Sequence, residues 1–233
     1  MANTSMNCRV DLLSLGRSMK TLFELLTDRG YDLSQIGLLA EKETVIPFEW
    51  TEQTHDSLME HCFSESQHMF VSHPELPVLV IFIHWKPLIG HHDLFKSIQF
   101  VLTDCPELTF MTSFPITLPV LHLMFITSTP LRTSDWKDLL PFQKKIRIEA
   151  FHQDEIEFNR TRHEYVPRHK LLKKEEAIEI LRALNTSGPQ CPRILQSDMI
   201  CRYYGGRVGD VFRIDRFDAM TGDREITFRI VTC

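Results

Sequence analysis

The sequence predicts a mixed α+β fold in two domains, residues 1–158 and residues 159–233. Short apolar runs alternate with amphipathic helical patterns along the first domain, and the second domain has its own helix and strand pattern. The charge also changes between them. Residues from Arg160 onward carry 14 Lys+Arg and 10 Asp+Glu, a net of +4, whereas residues 1–159 carry 12 and 21, a net of −9. A change of this kind favours a domain boundary near residue 159.

A long helix opens the first domain. From Leu12 to Leu26 the apolar residues recur at helical spacing, which predicts one buried face on a helix from about Arg9 to Arg29. Gly30 follows directly, as expected of a residue that takes the left-handed conformation at a helix end.

A small mixed or parallel sheet is predicted next. Pro77–Trp85 and Leu118–Ile126 are nearly continuous apolar runs of about nine residues, far short of the roughly 20 that span a bilayer, and we interpret them as buried strands. Leu108–Phe114 is a further predicted strand, and Lys144–Phe158 is expected to close the unit. A helical pattern after Gly90 would cross between strands. Its apolar side consists of Leu94, Ile98, Val101 and Leu102.

The second domain is predicted to contain a helix and a hairpin. Lys173–Leu184 has an amphipathic pattern with acidic residues near its start, where they favour the helix dipole. Val211–Ile214 and Ile226–Val231 are predicted strands joined through a tight turn at Thr221-Gly222-Asp223. The helix residues expected to face inward are Ile178, Leu181 and Leu184.

The cysteines and the N-terminal residues bear on the cellular compartment. The six cysteines include no CxxC pair, which is typical of free thiols in a reducing environment. Met1–Asp11 lacks the charged and apolar pattern of a signal peptide. We therefore expect a soluble intracellular protein.

The sequence contains no phosphate-binding loop, dinucleotide fingerprint, HExxH or GxSxG motif. Two clusters invite a metal-site interpretation, the second of them as a zinc site, but their spacing fits metal ligation poorly, and we interpret both as structural or solvated. We therefore expect no cofactor and no metal. The clusters are His84 with His91-His92-Asp93, and Cys191 and Cys201 with His163 and His169.

One enzymatic pattern remains open as a remote alternative. Glu107 and Asp135-Trp136-Lys137 resemble the acidic-x-Lys arrangement of magnesium-dependent nucleases, in which two carboxylates hold the metal and the lysine positions a water. Motifs this short arise often by chance, and we expect no catalytic residue in the chain.

The residues of the second domain favour protein interaction. Tyr203 and Tyr204 stand beside Gly205 and Gly206, and Val166–His169 is an extended segment with two basic side chains. Tyr and Arg are preferred anchors at protein interfaces.

The C-terminal part of the chain contains a series of short motifs in a fixed order and spacing. They are Ile148–Phe151, Thr161–His169, the helix to Leu184, Cys191–Leu195, Asp198, Arg202–Gly205, Gly209–Arg216, Thr221-Gly222 and Thr227–Ile230. This series resembles the shared fifth subunit of eukaryotic nuclear RNA polymerases, which has a shorter archaeal counterpart that consists of the C-terminal module alone. Leu12–Gln35, with Asp28-Arg29-Gly30-Tyr31, is similar to the first helix of the N-terminal jaw domain of that family.

The resemblance implies a three-layer α/β jaw domain over residues 1–158, similar to restriction endonucleases without their active site, and a small α+β assembly domain over residues 159–233. It implies a non-catalytic subunit that contacts the largest polymerase subunit and neighbouring small subunits, in the nucleus, or in the nucleolus if dedicated to polymerase I. No membrane or small-molecule ligand is expected. Thr117 and Pro119 would lie near downstream DNA. The implied interface residues are His163, Val166, Pro167, Arg168, His169, Pro192, Arg193, Ile194, Asp198, Tyr203, Gly205, Gly209 and Arg213, of which Gly205, Gly209 and Ile194 fit a structural role equally well.

The chain also departs from the family pattern. Val120, Leu121 and His122 stand where a basic residue is common, Val208 replaces a basic residue, and Thr127–Lys145 is longer than usual. With a net charge of −9 in the first domain, these departures argue against direct DNA contact and indicate a divergent lineage or a variant dedicated to one polymerase class. A free-standing transcription-related protein that carries the same module is the alternative from another class.

Overall fold

The computed structural model describes residues 4–39, 45–48, 67–73, 79–84, 94, 98, 122–144, 146–186, 190–217 and 222–233. The chain divides into two compact units, Met1–Phe158 and Asn159–Cys233. Within the described ranges, no helix combines the length and apolar character needed to cross a membrane.

Helix α1 (Thr4–Asp28) opens the first unit and begins earlier than the predicted Arg9. The described part of its predicted apolar stripe is buried, namely Met19, Leu22, Phe23 and Leu26. Gly30 takes a φ of +84° and its N–H donates to the carbonyl of Thr27 at 2.9 Å, which satisfies the helix end.

A six-stranded mixed sheet forms the centre of the first unit. The strand order is β2-β1-β3-β4-β5-β6, with β4, β5 and β6 parallel and the remaining pairs antiparallel. The mixed sheet predicted from the sequence is confirmed. Its strands are β1 (Asp32–Leu39), β2 (Val45–Phe48), β3 (Gln67–Ser72), β4 (Leu79–His84), β5 (His122–Thr127) and β6 (Arg147–His152).

The two longest apolar runs supply β4 and β5, which are buried as predicted. Leu94 and Ile98 are helical and pack with β4 and β5 in the core, as the pattern after Gly90 predicts. Val101 and Leu102, the predicted strand Leu108–Phe114, and the start of the second run before His122 lie outside the described residues.

Helices lie on both faces of this sheet. Helix α2 (Thr133–Gln143) places Leu139 in the core formed by Leu123 and Phe125. Alternate strand residues face opposite sides, so His122 and Glu149 lie on the other face, where they contact Tyr31 and Arg29 at the end of α1. A short helix, α3 (Gln153–Ile156), follows β6.

The second unit is a four-stranded sheet in the order β7-β9-β10-β8. Neighbours are antiparallel except β10 and β8, which are parallel. Its strands are β7 (Arg168–Leu171), β8 (Arg193–Leu195), β9 (Val211–Phe217) and β10 (Arg224–Thr232), and its helices are a 3₁₀ turn (Arg160–Arg162), α4 (Lys174–Ala183) and α5 (Met199–Tyr203).

Each face of this small sheet is covered by a different helix. Val211 packs with Ala177 of α4, whereas Phe212, its neighbour in β9, packs with Cys201 of α5. The alternation of side chains along β9 therefore gives the unit two small cores, one on each side.

Both hairpin strands are longer than the sequence predicts. β9 continues past Ile214 to Phe217, and β10 begins at Arg224 rather than Ile226. The added residues are all exposed, and apolar and charged side chains do not alternate among them. The apolar pattern in the sequence therefore ends before the strands do. Gly222 has the positive φ expected of a turn, and Thr221 lies outside the described residues.

The prediction that Ile178 and Leu184 face inward is wrong in this unit. Ile178 is 49% exposed and Leu184 is 52% exposed. The buried stripe of α4 centres instead on Ala177, with Ile180 and Leu181 partly buried beside it. Because Ala177 is small, the helix can approach the sheet closely at this position. Ile178 is the next residue, about 100° further around the helix axis, and it therefore lies away from the sheet.

Candidate subunit interface

The segment His163–His169 makes a turn over its first four residues, then runs into β7, and it carries five of the predicted interface residues. His163 and Arg168 are exposed, while Val166, Pro167 and His169 are half-buried. The N–H of Val166 donates to the carbonyl of His163 at 3.0 Å, and Nδ1 of His169 lies 2.7 Å from the carbonyl oxygen of Pro167. These local hydrogen bonds fix the conformation of the segment, and the Arg168 side chain is exposed to solvent.

Two further predicted residues, Asp198 and Tyr203, lie at the two ends of α5. Asp198 caps the helix, since its carboxylate accepts from the N–H of Ile200 at 2.8 Å. Tyr203 is 5% exposed, and Nδ2 of Asn159 donates to its hydroxyl at 3.1 Å. Tyr203 therefore ties the start of the unit to α5, while Asp198 stays accessible.

His169 lies among charged groups of β9, β10 and α5. Burial lowers its pKa, the Pro167 carbonyl and the Asp198 carboxylate oppose that effect, and Arg229 and Arg216 reinforce it. With a pKa below the ordinary 6.5, its imidazole is mainly neutral at physiological pH.

The remaining predicted interface residues of the β8 region lie at the other edge of the sheet. Pro192 and Arg193 are exposed, and the Pro192 carbonyl accepts from the N–H of Ile230 at 2.8 Å. Ile194 is buried in the core beneath α5. Because β7 and β8 are the two outer strands, Arg168 and Arg193 are separated by three strand spacings, about 14 Å across the sheet, and by four further residues along β10.

The predicted glycines occupy turns. Gly205 and Gly209 have φ values of +70° and +93°, and the N–H of Gly209 donates to the carbonyl of Val231 at 2.9 Å. Arg213 is paired with Asp215 at 2.8 Å on the face covered by α4, away from Ile194. Thus the structure does not gather the predicted set into one surface. The accessible members are His163, Val166, Pro167, Arg168, His169, Pro192, Arg193, Asp198 and Arg213, and those in the core or in turns are Ile194, Tyr203, Gly205 and Gly209.

Four exposed aromatic or aliphatic residues of the second unit are absent from the interface set predicted from the sequence. Tyr165 is 83% exposed, and its ring lies 5.5 Å from that of His163. Leu195, Phe217 and Ile226 are also at least half exposed. Tyr165 could have been found as an aromatic residue within a charged segment, but nothing in the sequence distinguishes the exposure of the other three.

Asp135 has a structural role in the first turn of α2. Its carboxylate accepts from the N–H of Arg132 at 2.8 Å, which caps the helix. Glu107, His91, His92 and Asp93 lie outside the described residues, as do Thr117 and Pro119.

Cys191 and Cys201 are buried free thiols, and the Cys191 thiol donates to the carbonyl of Phe228 at 3.5 Å. Burial raises the pKa of Cys191. In the part of the chain that the structure describes, no group of three His, Cys, Asp or Glu side chains is arranged to hold a metal ion.

A buried ionic cluster connects α1 to the parallel strands of the first unit. Glu149 is paired with Arg29 at 2.8 Å and with Arg147, and Nε2 of His122 lies 3.5 Å from it. The Tyr31 hydroxyl lies 3.3 Å from Nδ1 of His122. Burial alone would raise the pKa of Glu149, but Arg29, His122 and Arg147 hold it well below its usual range. Burial lowers the pKa of His122.

The second unit exposes Arg168 and Arg193 on the two outer strands of its sheet and Tyr165 in the turn before β7, and Tyr and Arg are side chains preferred at protein interfaces. The family model of the RNA polymerase Rpb5 C-terminal domain matches residues 158–231, which is nearly this whole unit. This match places the similarity to the Rpb5 family in the second unit of the chain.

Curated relatives match over different lengths. A Dictyostelium discoideum protein, DNA-directed RNA polymerases I, II, and III subunit rpabc1, is 42% identical over 88 residues, which is 38% of this chain and 44% of that relative. The Caenorhabditis briggsae subunit RPABC1 of polymerases I, II and III is 28% identical over 219 residues, 93% of this chain and 95% of the relative. An Arabidopsis thaliana protein, DNA-directed RNA polymerase subunit 5-like protein 1, is 24% identical over 208 residues, 88% and 89% of the two chains.

Proposed function

We propose that the chain is a non-catalytic structural subunit of a nuclear DNA-dependent RNA polymerase. The observation that carries this proposal is the coincidence of the Rpb5 C-terminal family match with the compact unit Asn159–Cys233. The nearly full-length similarity to a Caenorhabditis subunit shared by polymerases I, II and III supports the same role for the whole chain.

The second unit docks on the largest polymerase subunit. Exposed Arg168 and Arg193 at the two edges of the sheet, with Tyr165 on the segment before β7, supply the side-chain types that dominate protein interfaces. Arg fits this role because its planar guanidinium can hold a carboxylate through two hydrogen bonds.

The first unit forms part of the lower jaw of the polymerase, near downstream DNA, with a fold similar to restriction endonucleases and no active site. Its net charge of −9 over residues 1–159 favours a scaffold, because binding of duplex DNA depends on neutralisation of phosphates by Lys and Arg.

Co-purification tests the proposal. The full chain, tagged at one terminus, is expected to co-purify in stoichiometric amounts with the large catalytic subunits from a nuclear extract. Recovery of the tagged chain only as a free monomer would contradict the proposal and favour a free-standing interaction protein.

Single charge reversals separate the two edges of the sheet. Arg168→Glu and Arg193→Glu should each reduce recovery of the largest subunit if their edge docks, without changing the thermal unfolding of the isolated chain. Lys174→Glu, an exposed charge at the start of α4, is the matched control and should co-purify normally. Normal recovery with both arginine variants would remove them from the interface.

DNA proximity has a separate test. A photo-crosslinker at position 117 in an elongation complex should form adducts with downstream duplex if the jaw lies beside it. A complex that contains the subunit but forms no such adduct would leave only the scaffold role.

A further inference from the structure

One end of the second unit's sheet is left uncovered on the face that α4 packs against. The β9–β10 register pairs Phe217 with Arg224 and Asp215 with Ile226, and paired residues share a face. Arg168 of β7 joins this face through its pairing with Asp215. We call these five residues the distal patch.

Helix α4 stops short of the distal patch. It packs on Val211, with Phe228 and Ile230 partly buried beside it. Further along the same face, Phe217 remains 66% exposed and Ile226 50% exposed. These two side chains are diagonal neighbours across the hairpin and so form a continuous apolar surface.

The charged side chains of the distal patch that make no ion pair with a described residue are both positive. Arg168 and Arg224 are both exposed, and neither makes an ion pair with any described residue. Asp215, the acidic member of the patch, is already held by Arg213 at 2.8 Å. An apolar surface flanked by two unpaired guanidinium groups complements a segment that carries both carboxylates and apolar side chains.

We infer that the distal patch binds an acidic peptide segment of a polymerase subunit, with aliphatic or aromatic side chains of that segment on Phe217 and Ile226 and its carboxylates on Arg168 and Arg224. This inference rests on the proposed function for the identity of the partner. Nucleic acid fits less well, because Asp215 lies in the middle of the patch and Ile226 offers no ring for base stacking.

The test uses the full chain and a fluorescein-labelled synthetic peptide composed of Asp, Glu, Leu and Phe, titrated by fluorescence anisotropy. A matched peptide with Asn and Gln in place of the acids should bind at least about tenfold more weakly. Phe217→Ser and Arg224→Glu should each weaken binding of the acidic peptide by about tenfold, as expected of interface anchors. Leu184→Ser, a similarly exposed apolar residue at the end of α4, is the control and should bind like the wild type.

Absence of binding by the acidic peptide would overturn the inference, as would wild-type affinity in Phe217→Ser or in Arg224→Glu. A duplex oligonucleotide that displaces the peptide at lower concentration than unlabelled peptide would assign the patch to nucleic acid instead. None of these results bears on the co-purification of the wild-type chain with polymerase, so failure of the inference and failure of the proposed function are distinguishable.

Discussion

Glu149 is the residue on which the buried electrostatics of the first unit depend. Its carboxylate lies against Arg29, whose side chain is only 5% exposed, and is also shared with Arg147 and His122. A buried guanidinium group is tolerated beside this carboxylate only while the carboxylate is ionised. The cluster therefore links the end of α1 to β5 and β6 through charged side chains.

Replacement of Glu149 by Gln should destabilise the chain by about 3 kcal/mol, because Arg29 would remain buried, and Arg147 partly buried, without a counter-charge. Urea unfolding of wild type and variant at pH 7 measures the difference. Since the pKa of Glu149 is lowered in the folded state, its contribution is present above the ordinary value of 4.5 and is lost as the pH falls below it. The difference between the two proteins should therefore shrink in acid.

Asp154→Asn is the matched control for that substitution, because the Asp154 side chain is 78% exposed and its pairing with His152 is at the surface. It should change stability by less than about 1 kcal/mol. A loss in Glu149→Gln no larger than in this control would show that the cluster contributes little.

His122 makes the stability depend on pH near neutrality. Burial lowers its pKa below the ordinary 6.5, so the unfolded chain binds a proton more readily than the folded chain does. Stability should therefore fall as the pH drops through 6.5. In His122→Gln the slope of unfolding free energy against pH should be shallower, though not zero, because His169 acts in the same direction. An unchanged slope would contradict this role.

At the scale of elements, the contact between α5 and β9 sets the packing of the second unit. A Cβ built on Gly206 would lie 2.7 Å from the Cys201 sulfur and 3.0 Å from the Phe212 ring. Both neighbours are buried, so neither can move aside easily. The sharp end of α5 thus depends on the missing side chain at this position.

Gly206→Ala should destabilise the chain by about 1–3 kcal/mol through overpacking. Cys201→Ala removes the closest neighbour and alone should cost about 1 kcal/mol by leaving a small void. Urea unfolding of both single variants and the double variant forms a cycle, in which the double variant should be more stable than the sum of the two losses predicts. Additivity within about 0.5 kcal/mol would show that the two sites do not touch.

Helix α4 shows what an amphipathic pattern leaves undecided. Its apolar residues were correctly placed on a helix, but Ala177 rather than Ile178 faces the sheet. The apolar stripe of α4 is wider than the area in contact with the sheet. The helix can therefore rotate about its axis by one residue and still present apolar side chains to the sheet. The position at which the chain needs a small residue becomes visible only when the sheet is in place.

At the scale of the whole molecule, the chain divides into two compact units after residue 158, where the charge balance also changes. The second unit has cores on both faces of its own sheet. A unit with its own core can fold alone even at a size of about 60 residues.

We expect residues 159–233, expressed alone, to unfold in one cooperative transition monitored by circular dichroism. The same fragment with Gly206→Ala should melt at lower temperature, as the full-length variant should. A fragment without a cooperative transition would mean that the second unit needs the rest of the chain.

The sequence by itself determined part of the fold and the similarity of the second unit to the Rpb5 family. Apolar periodicity located α1 and α4, and nearly continuous apolar runs located β4 and β5, because burial on one face or on both imposes a pattern that is local in the chain. The ordered C-terminal segments likewise indicated the similarity of residues 158–231 to the Rpb5 C-terminal domain, since they match as linear motifs.

Tertiary structure decided what depends on pairing between distant residues. Strand register placed Phe217 beside Ile226 and set Arg168 and Arg193 on opposite edges, although the sequence had grouped the two arginines in one interface. The cluster of Arg29, His122 and Glu149 likewise joins residues far apart in the chain. Each of these residues looks ordinary in its local segment, because burial and charge partners are set by the neighbours that folding supplies.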